Sequence, residues 1–243
     1  IIAHGVLRGS AIGGGKEWEE GRDTLILKPG EKAITVGDGS GLRVTRCTIV
    51  GASGHAIGAF APVNILITNS LIYGSGGKSL HTDPDNIWPG VITCSNLVGN
   101  AGGDWTGALA PLRDIDGNIS ETPLFCDIAN GDFTLAAGSP CLPGNQNPPC
   151  GAMGAFPGPG CVDPAPMVIP VRPDGTGLLP TIQAALAFAA DHDTISLANG
   201  TYTGPGNYDL DYRGKSVVVR SESGDPLVMG GAAMVIIAVL VRG

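Results

Sequence analysis

The chain is short of aromatic residues, short of charge and has no surplus of positive charge, and each shortage excludes something. Aromatics make up 5% of its 243 residues and charged residues 15%, against 43% apolar residues. A disordered chain shows the opposite balance, with high charge over low hydrophobicity, so this sequence folds. Its 14 Lys and Arg are outnumbered by 22 Asp and Glu, for a formal charge of −8, and they are scattered. Phosphate backbones are bound by clustered cations, so nucleic acid is not expected as a partner. A field of this sign also does not steer an acidic polysaccharide toward the protein.

Missing too are a Cys-x-x-Cys pair and the Cys/His spacing of a zinc site. The six cysteines stand at 47, 94, 126, 141, 150 and 161, four of them within residues 126–161. That crowding is the pattern of local disulfide stapling in an oxidising compartment. Cys126–Cys141 and Cys150–Cys161 are the preferred pairs, although spacing alone leaves the connectivity open. No run is long enough to cross a bilayer as a helix: residues 227–241 are wholly apolar or Gly, but fifteen residues fall short of the roughly 20 required. A buried strand or an artificial terminus is expected there. The chain starts at Ile1 without an initiator Met or a signal peptide, as a processed protein or an excerpt of a longer polypeptide would.

What is plentiful is Gly (39), Pro (19) and small or branched apolar residues, which together suggest many tight turns and few exposed helices. The length suffices for one large or two smaller domains. The decisive signal is an internal repeat. The segments Leu42–Gly51, Ile65–Gly74 and Gly90–Gly99 align with corresponding positions 23 and then 25 residues apart. Val44, Ile67 and Ile92 form one column; Cys47, Ser70 and Ser95 a second; Ile49, Ile72 and Leu97 a third; Gly51, Gly74 and Gly99 a fourth. A weaker column joins Ile34, Ile57 and Leu80, and Ile26 falls one period before Ile49.

Within each unit apolar residues alternate, as a strand with one buried face requires, and the phase slips at Arg46, Asn69 and Cys94, where the chain must turn a corner. Equivalent residues then stack on the next coil about 4.8 Å away. One coil cannot bury its own face, so stacking builds the core. The expected fold is all-β: a right-handed parallel β-helix, a solenoid with coils of about 23 residues.

After Gly102 the repeat stops, and the residues carry a resemblance. Cys94-Ser-Asn-Leu-Val-Gly-Asn-Ala-Gly-Gly-Asp-Trp105, Gly117-Asn-Ile-Ser120, Pro123-Leu-Phe-Cys126, Asn130-Gly-Asp-Phe-Thr-Leu135, Gly138-Ser-Pro-Cys141 and Gly154-Ala-Phe156 together resemble the closing segment of bacterial right-handed β-helix repeat proteins of the pectin-lyase-like superfamily. The resemblance implies a secreted or surface protein and is nearly silent on chemistry. Relatives often carry a cysteine shortly after the Gly-Gly-Asp-Trp where this chain has Gly107, which leaves Cys94 without its expected partner. A closing segment would seal the exposed end of the coil stack.

Residues 157–170 are Pro-rich, a stiff and extended linker. Beyond it, Pro180–Ala190 has the periodicity of a short helix, with Thr181 as N-cap and Ile182, Ala185, Leu186 and Ala189 on one face. Strands are expected at Asp193–Leu197, Asn199–Tyr202 and Lys215–Arg220. This stretch resembles the N-terminal cap helix and first coil of the same superfamily. The expected organisation is therefore 1–161 as the late coils and stapled closing segment of one β-helix, 162–170 as linker, and 171–243 as the capping helix (near 181–190) and first coils of a second, truncated unit that leans on the first or on other chains.

Candidate chemistry is sparse. Asp83 and Asp85 with Asp104 offer hard oxygens for Ca²⁺, against the plainer reading of a Pro-containing turn. Asp114-Ile-Asp-Gly-Asn118 has the alternating oxygen ligands of a calcium loop, with Asp116 between, but lacks the Glu at loop position 12, where Phe125 stands. Trp88 and Trp105 (and Trp18) are candidates for stacking on pyranose rings, with Trp105 also suited to pack over the coil end. His4, His55 and His192 look isolated, and Asp209 and Asp211 alternate as on a strand. Asn118 and Asn199 head glycosylation sequons. The strands at 42–51 and 65–74 carry no outward carboxylate, and the Gly-x-x-Asp-Phe-x-x-Gly motif of pectin methylesterases is absent.

Three functions follow. The first is a non-catalytic extracellular or cell-surface β-helix module contacting carbohydrate; the second is part of a polysaccharide-active enzyme, a lyase or esterase. The third is an assembly unit that associates through open solenoid edges. Polysaccharide or a cell-surface component is the expected partner, Ca²⁺ the one candidate cofactor, and the outside of a bacterial cell the expected location.

Overall fold

The computed structural model describes residues 2–8, 18–27, 32–36, 41–59, 64–82, 90–146, 149–162, 166–177, 179–223 and 239–240. It is nearly all β, and its parallel strands stack as a solenoid. Each full coil of the first part runs over three faces. Trp18–Leu27 (its first half), Gly41–Thr45, Asn64–Thr68 and Val91–Thr93 stack on the first face, with Val44, Ile67 and Ile92 in register. The second half of Trp18–Leu27, Thr48–Val50, Leu71–Tyr73 and Asn96–Val98 form the second face, with Ile26, Ile49, Ile72 and Leu97 in register. Lys32–Val36, His55–Ala59 and Leu80–Thr82 form the third, aligned on Ile34, Ile57 and Leu80. Every column anticipated from the repeat is thus a row of stacked residues. Ile2–Arg8 adds a further parallel strand beside Trp18–Leu27.

The corner between the first two faces is left-handed in every described coil: φ is 48° at Asp23, 49° at Arg46, Asn69 and Cys94, and 76° at Gly117. A non-glycine residue there costs roughly 1–2 kcal/mol, and the bend takes backbone N–H groups out of the sheet ladder. A row of side chains answers that. The Cys47 N–H donates to Ser70 Oγ (3.2 Å), the Ser70 N–H to Ser95 Oγ (3.2 Å) and the Ser95 N–H to Asn118 Oδ1 (3.1 Å). Ser70 and Ser95 each donate onward to the carbonyl two residues back, at 2.9 Å. All four side chains are buried, where an unmet polar group would cost about 1–3 kcal/mol.

Two cores result. Inside the coils lie Ile26, Ile34, Leu42, Val44, Ile49, Ile57, Ile67, Ile72, Ile92 and Leu97. The second core lies outside the second face, whose outward residues Val50, Tyr73 and Val98 are fully buried. Covering them are the closing segment, where Phe125–Asp127 pairs antiparallel with Asp132–Ala136, and the elements beyond residue 166. In those later elements Val168–Val171, Thr194–Leu197 and Val218–Ser221 stack in parallel on Ile169, Ile195 and Val219, and Val239–Leu240 lies antiparallel on the last. The expected strand at Asn199–Tyr202 is a bend instead, and Asp209 and Asp211 lie in turns, with Asp209 at φ 50°. Gly and Asn in this stretch favour the turn over extended pairing.

The helix Ile182–Phe188 is capped as its sequence predicts: the Thr181 side chain accepts from the Ala184 N–H at 3.1 Å. Only Gln183 of its seven residues is not buried. Ile182, Ala184, Ala185, Leu186, Ala187 and Phe188 are all buried. One face meets the later stack and the other lies on the first solenoid, where Tyr73 Oη donates to the Ala184 carbonyl (2.7 Å). At its C-terminal end the Lys215 ammonium donates to the Leu186 and Ala187 carbonyls, and the Thr122 hydroxyl also reaches Ala187 O. Scarce aromatics gather at this junction: Tyr73, Phe125, Phe133 and Phe188 contact one another at centroid distances of 5.6–6.0 Å. Both ends of the Pro-rich stretch 157–170 belong to strands, Pro159–Cys161 and Val168–Val171.

Candidate functional site

The side chains singled out from the sequence divide by what the fold does with them. Asp83, Asp85 and Trp88 lie outside the described residues. Asp116 stands just before the fifth left-handed corner, at Gly117, and its carbonyl accepts from the Cys94 N–H. Asn118 extends the buried row that begins at Cys47, and its amide also donates to the carbonyls of Ile92 (2.8 Å) and Leu112 (3.0 Å). Its Oδ1 accepts the Ser95 N–H, and the side chain is buried, as a glycosylation acceptor is not. Asp114 is exposed beside Arg113. Among the described residues no three His, Cys, Asp or Glu come together as a metal-binding group.

The disulfide pairing differs from the expectation. Cys94 bonds to Cys150 and Cys126 to Cys161, with Cα–Cα distances of 5.7 and 5.9 Å; Cys141 is a free, buried thiol, as is Cys47. Sequence neighbours lost because the segment folds back on the coils. Residue 150 returns to the corner of the Cys94 coil, where both sulfurs sit over Gly117. Cys141 points into the junction core, and Asn96 Nδ2 donates to its sulfur at 3.1 Å. Burial pushes the Cys141 thiol up to about 12 and that of Cys47 to about 11, so both are poor nucleophiles. Nor is His55 isolated, since its ring stacks on His81 with centroids 4.3 Å apart and its Nδ1 accepts from the Lys78 N–H.

Trp105 is nearly buried over the coil end, and its indole N–H donates to Ser120 Oγ at 2.7 Å. It helps to line a cleft of about 580 Å³. Asp104, Thr106, Arg113 and Ser120 line this cleft from the closing segment, and Asp211 and Arg213 from the later elements. The Asp104 carboxylate accepts from the N–H groups of Gly99 (3.2 Å) and Asn100 (2.8 Å) and from Asn100 Nδ2 (2.8 Å). Desolvation pushes its pKa up, with those donors and Arg213 opposing. Arg213 Nη2 stands 3.9 Å away. Asp211 accepts from the Arg213 N–H, closing a turn.

No family model, no curated protein and no solved structure matches this chain. The cleft was not legible in the sequence because its walls lie about a hundred residues apart and meet only where the later elements dock. Arg113 and Arg213 carried no local motif. The apolar outward residues Val50, Tyr73 and Val98 were the one available sign that something covers this side of the coils.

Proposed function

We propose that the chain is a non-catalytic extracellular or cell-surface β-helix module that contacts carbohydrate, with the cleft at Trp105, Arg113 and Arg213 as the contact site. The observation that carries this reading is how the polar side chains of the coils are used. Ser70, Ser95, Asn100 and Asn118 are spent on buried backbone groups, and the buried thiols are held neutral. The cleft gathers Asp104, Thr106, Arg113, Ser120, Asp211 and Arg213 at a volume within the small-ligand range. It holds no nucleophile paired with a base, since its carboxylates accept backbone N–H groups and its Ser120 hydroxyl donates to the Leu97 carbonyl (3.1 Å). The two disulfides suit an oxidising compartment, and no described helix is long and apolar enough to cross a membrane. A pectin-lyase-like origin fits the coil architecture and the closing-segment motifs.

The test is affinity electrophoresis of the oxidised chain through gels containing neutral or acidic polysaccharide, paired with assays for unsaturated product and released methanol. Retardation without product is the expected result. Product formation assigns the chain to the polysaccharide-active enzymes and overturns the module reading.

A further inference from the structure

We propose that the cleft is an oxyanion site, in which Arg113, Arg213 and the Thr106 hydroxyl hold a carboxylate, sulfate or phosphate group of the ligand. It rests on the preceding reading only in taking the cleft as the contact site. The argument is a count of which hydrogen-bonding capacity the lining has already used.

The acceptors are used in part. Asp104 takes three N–H donors, and Asp211 accepts one, from the Arg213 N–H of its own turn. Ser120 Oγ accepts from the Trp105 indole and donates to the Leu97 carbonyl. The donors are not engaged. Arg213 approaches Asp104 only to 3.9 Å, beyond hydrogen-bond range. Arg113 lies 3.4 Å from Asp114 with both side chains more than half exposed, so water screens the pair. Among the described residues neither guanidinium donates a hydrogen bond, and the Thr106 hydroxyl has no side-chain bond at the turn that it precedes.

A guanidinium presents a planar fork of N–H donors matched to two oxygens of one anion. A ligand group that supplies two acceptor oxygens would engage donors that the fold leaves open. A metal ion or an amine would instead meet two cations and carboxylates already bound to backbone. The volume, about 580 Å³, exceeds what one oxyanion fills, so the anion is the anchor of a larger ligand. The two arginines come from opposite sides of the junction. The site exists only while the elements after residue 166 are docked on the first solenoid.

Isothermal titration of the oxidised chain with sodium acetate, sodium sulfate and sodium phosphate, each against sodium chloride at equal ionic strength, tests this. Saturable binding in at least one arm is expected, and the arm that responds names the anion. Binding should weaken about ten-fold or more in Arg113→Gln with Arg213→Gln, and less in Thr106→Val. Arg113→Gln alone, at an exposed position, keeps the test valid if the double variant does not fold. No saturable binding in any arm, or unchanged affinity in folded variants, overturns the proposal. Polysaccharide retained by the variants as by the parent chain overturns the anion anchor and leaves the module reading standing. Product formation does the reverse.

Discussion

Replacing Gly99 by Ala should undock the helix from the first solenoid, and its size can be worked out beforehand. Gly99 ends a coil strand at φ +73°, where a Cβ costs roughly 1–2 kcal/mol. That Cβ would lie 2.7 Å from the Cβ of Ala187, inside the roughly 3.5–4.0 Å of a carbon–carbon contact. The helix must shift by about an ångström, and overpacking of this kind costs about 1–3 kcal/mol. Gly74 is the control, one coil earlier at φ +66°, where an added Cβ meets the flexible tip of Leu179 at 3.1 Å. Gly74→Ala should therefore cost about 1–2 kcal/mol and Gly99→Ala about 2–5 kcal/mol in denaturant unfolding. Ala187→Gly supplies the second arm of a cycle. Alone it weakens the helix by about 1 kcal/mol, yet in the Gly99→Ala background it should restore stability, a favourable coupling of about 1–3 kcal/mol. Hydrogen exchange at the Ala184 and Ala187 amides reports docking directly. Equal costs at Gly74 and Gly99, with Ala187→Gly strictly additive, would refute the packing of the helix on this face.

Two further perturbations probe the buried polar groups. Burial and the nearby Arg213 lower the Lys215 pKa to about 8 from 10.5, so the unfolded chain holds this proton more tightly; between pH 8 and 9 this group alone should add roughly 1 kcal/mol, read as the change in the stability difference between the parent chain and Lys215→Met. Above about pH 9 the trend should reverse, because Cys47 and Cys141 ionise at their ordinary value of 9.0 when unfolded but only near 11 and 12 when folded. Asn118→Asp should destabilise by about 2–4 kcal/mol, since a carboxylate cannot donate to the Ile92 and Leu112 carbonyls. A thermal melt in which Ca²⁺ restores that loss would favour the calcium loop over the hydrogen-bonded row.

What could be read from the sequence was whatever repeats at one coil's spacing. The columns through Val44, Ile49 and Ile34 are registers of the sheet, and the phase slip at Arg46, Asn69 and Cys94 is the left-handed corner. The same rule extended once more would have placed Asn118 below Ser95 and Gly117 below Cys94, each 23 residues on. Local resemblance to a calcium loop won over the period because a left-handed turn of Asp and Gly is common to both. Disulfide pairing failed for a different reason. Cys94 and Cys150 are 56 residues apart, and only the return of the closing segment to the coil corner brings them together. Cys126 and Cys161, 35 apart, meet because Pro159–Cys161 pairs with Asp132–Ala136.

The junction also bears on how the chain is divided. A boundary at the Pro-rich stretch would separate elements that share one core. Tyr73 and Val98 of the coils, Phe125 and Phe133 of the closing segment, and Ile169, Phe188 and Leu197 beyond the linker pack as a single cluster. A helix with six of its seven residues buried cannot be freed from either neighbour without exposing apolar surface at roughly 25 cal/mol per Å². The elements after residue 166 have few strands of their own, so much of their stability has to come from the face of the first solenoid. A fragment ending near residue 161 would leave Tyr73, Val98 and Phe125 uncovered and would lack Arg213. Folding, solubility and the cleft should therefore be lost together when the chain is cut there, which makes binding at the cleft a readout of docking.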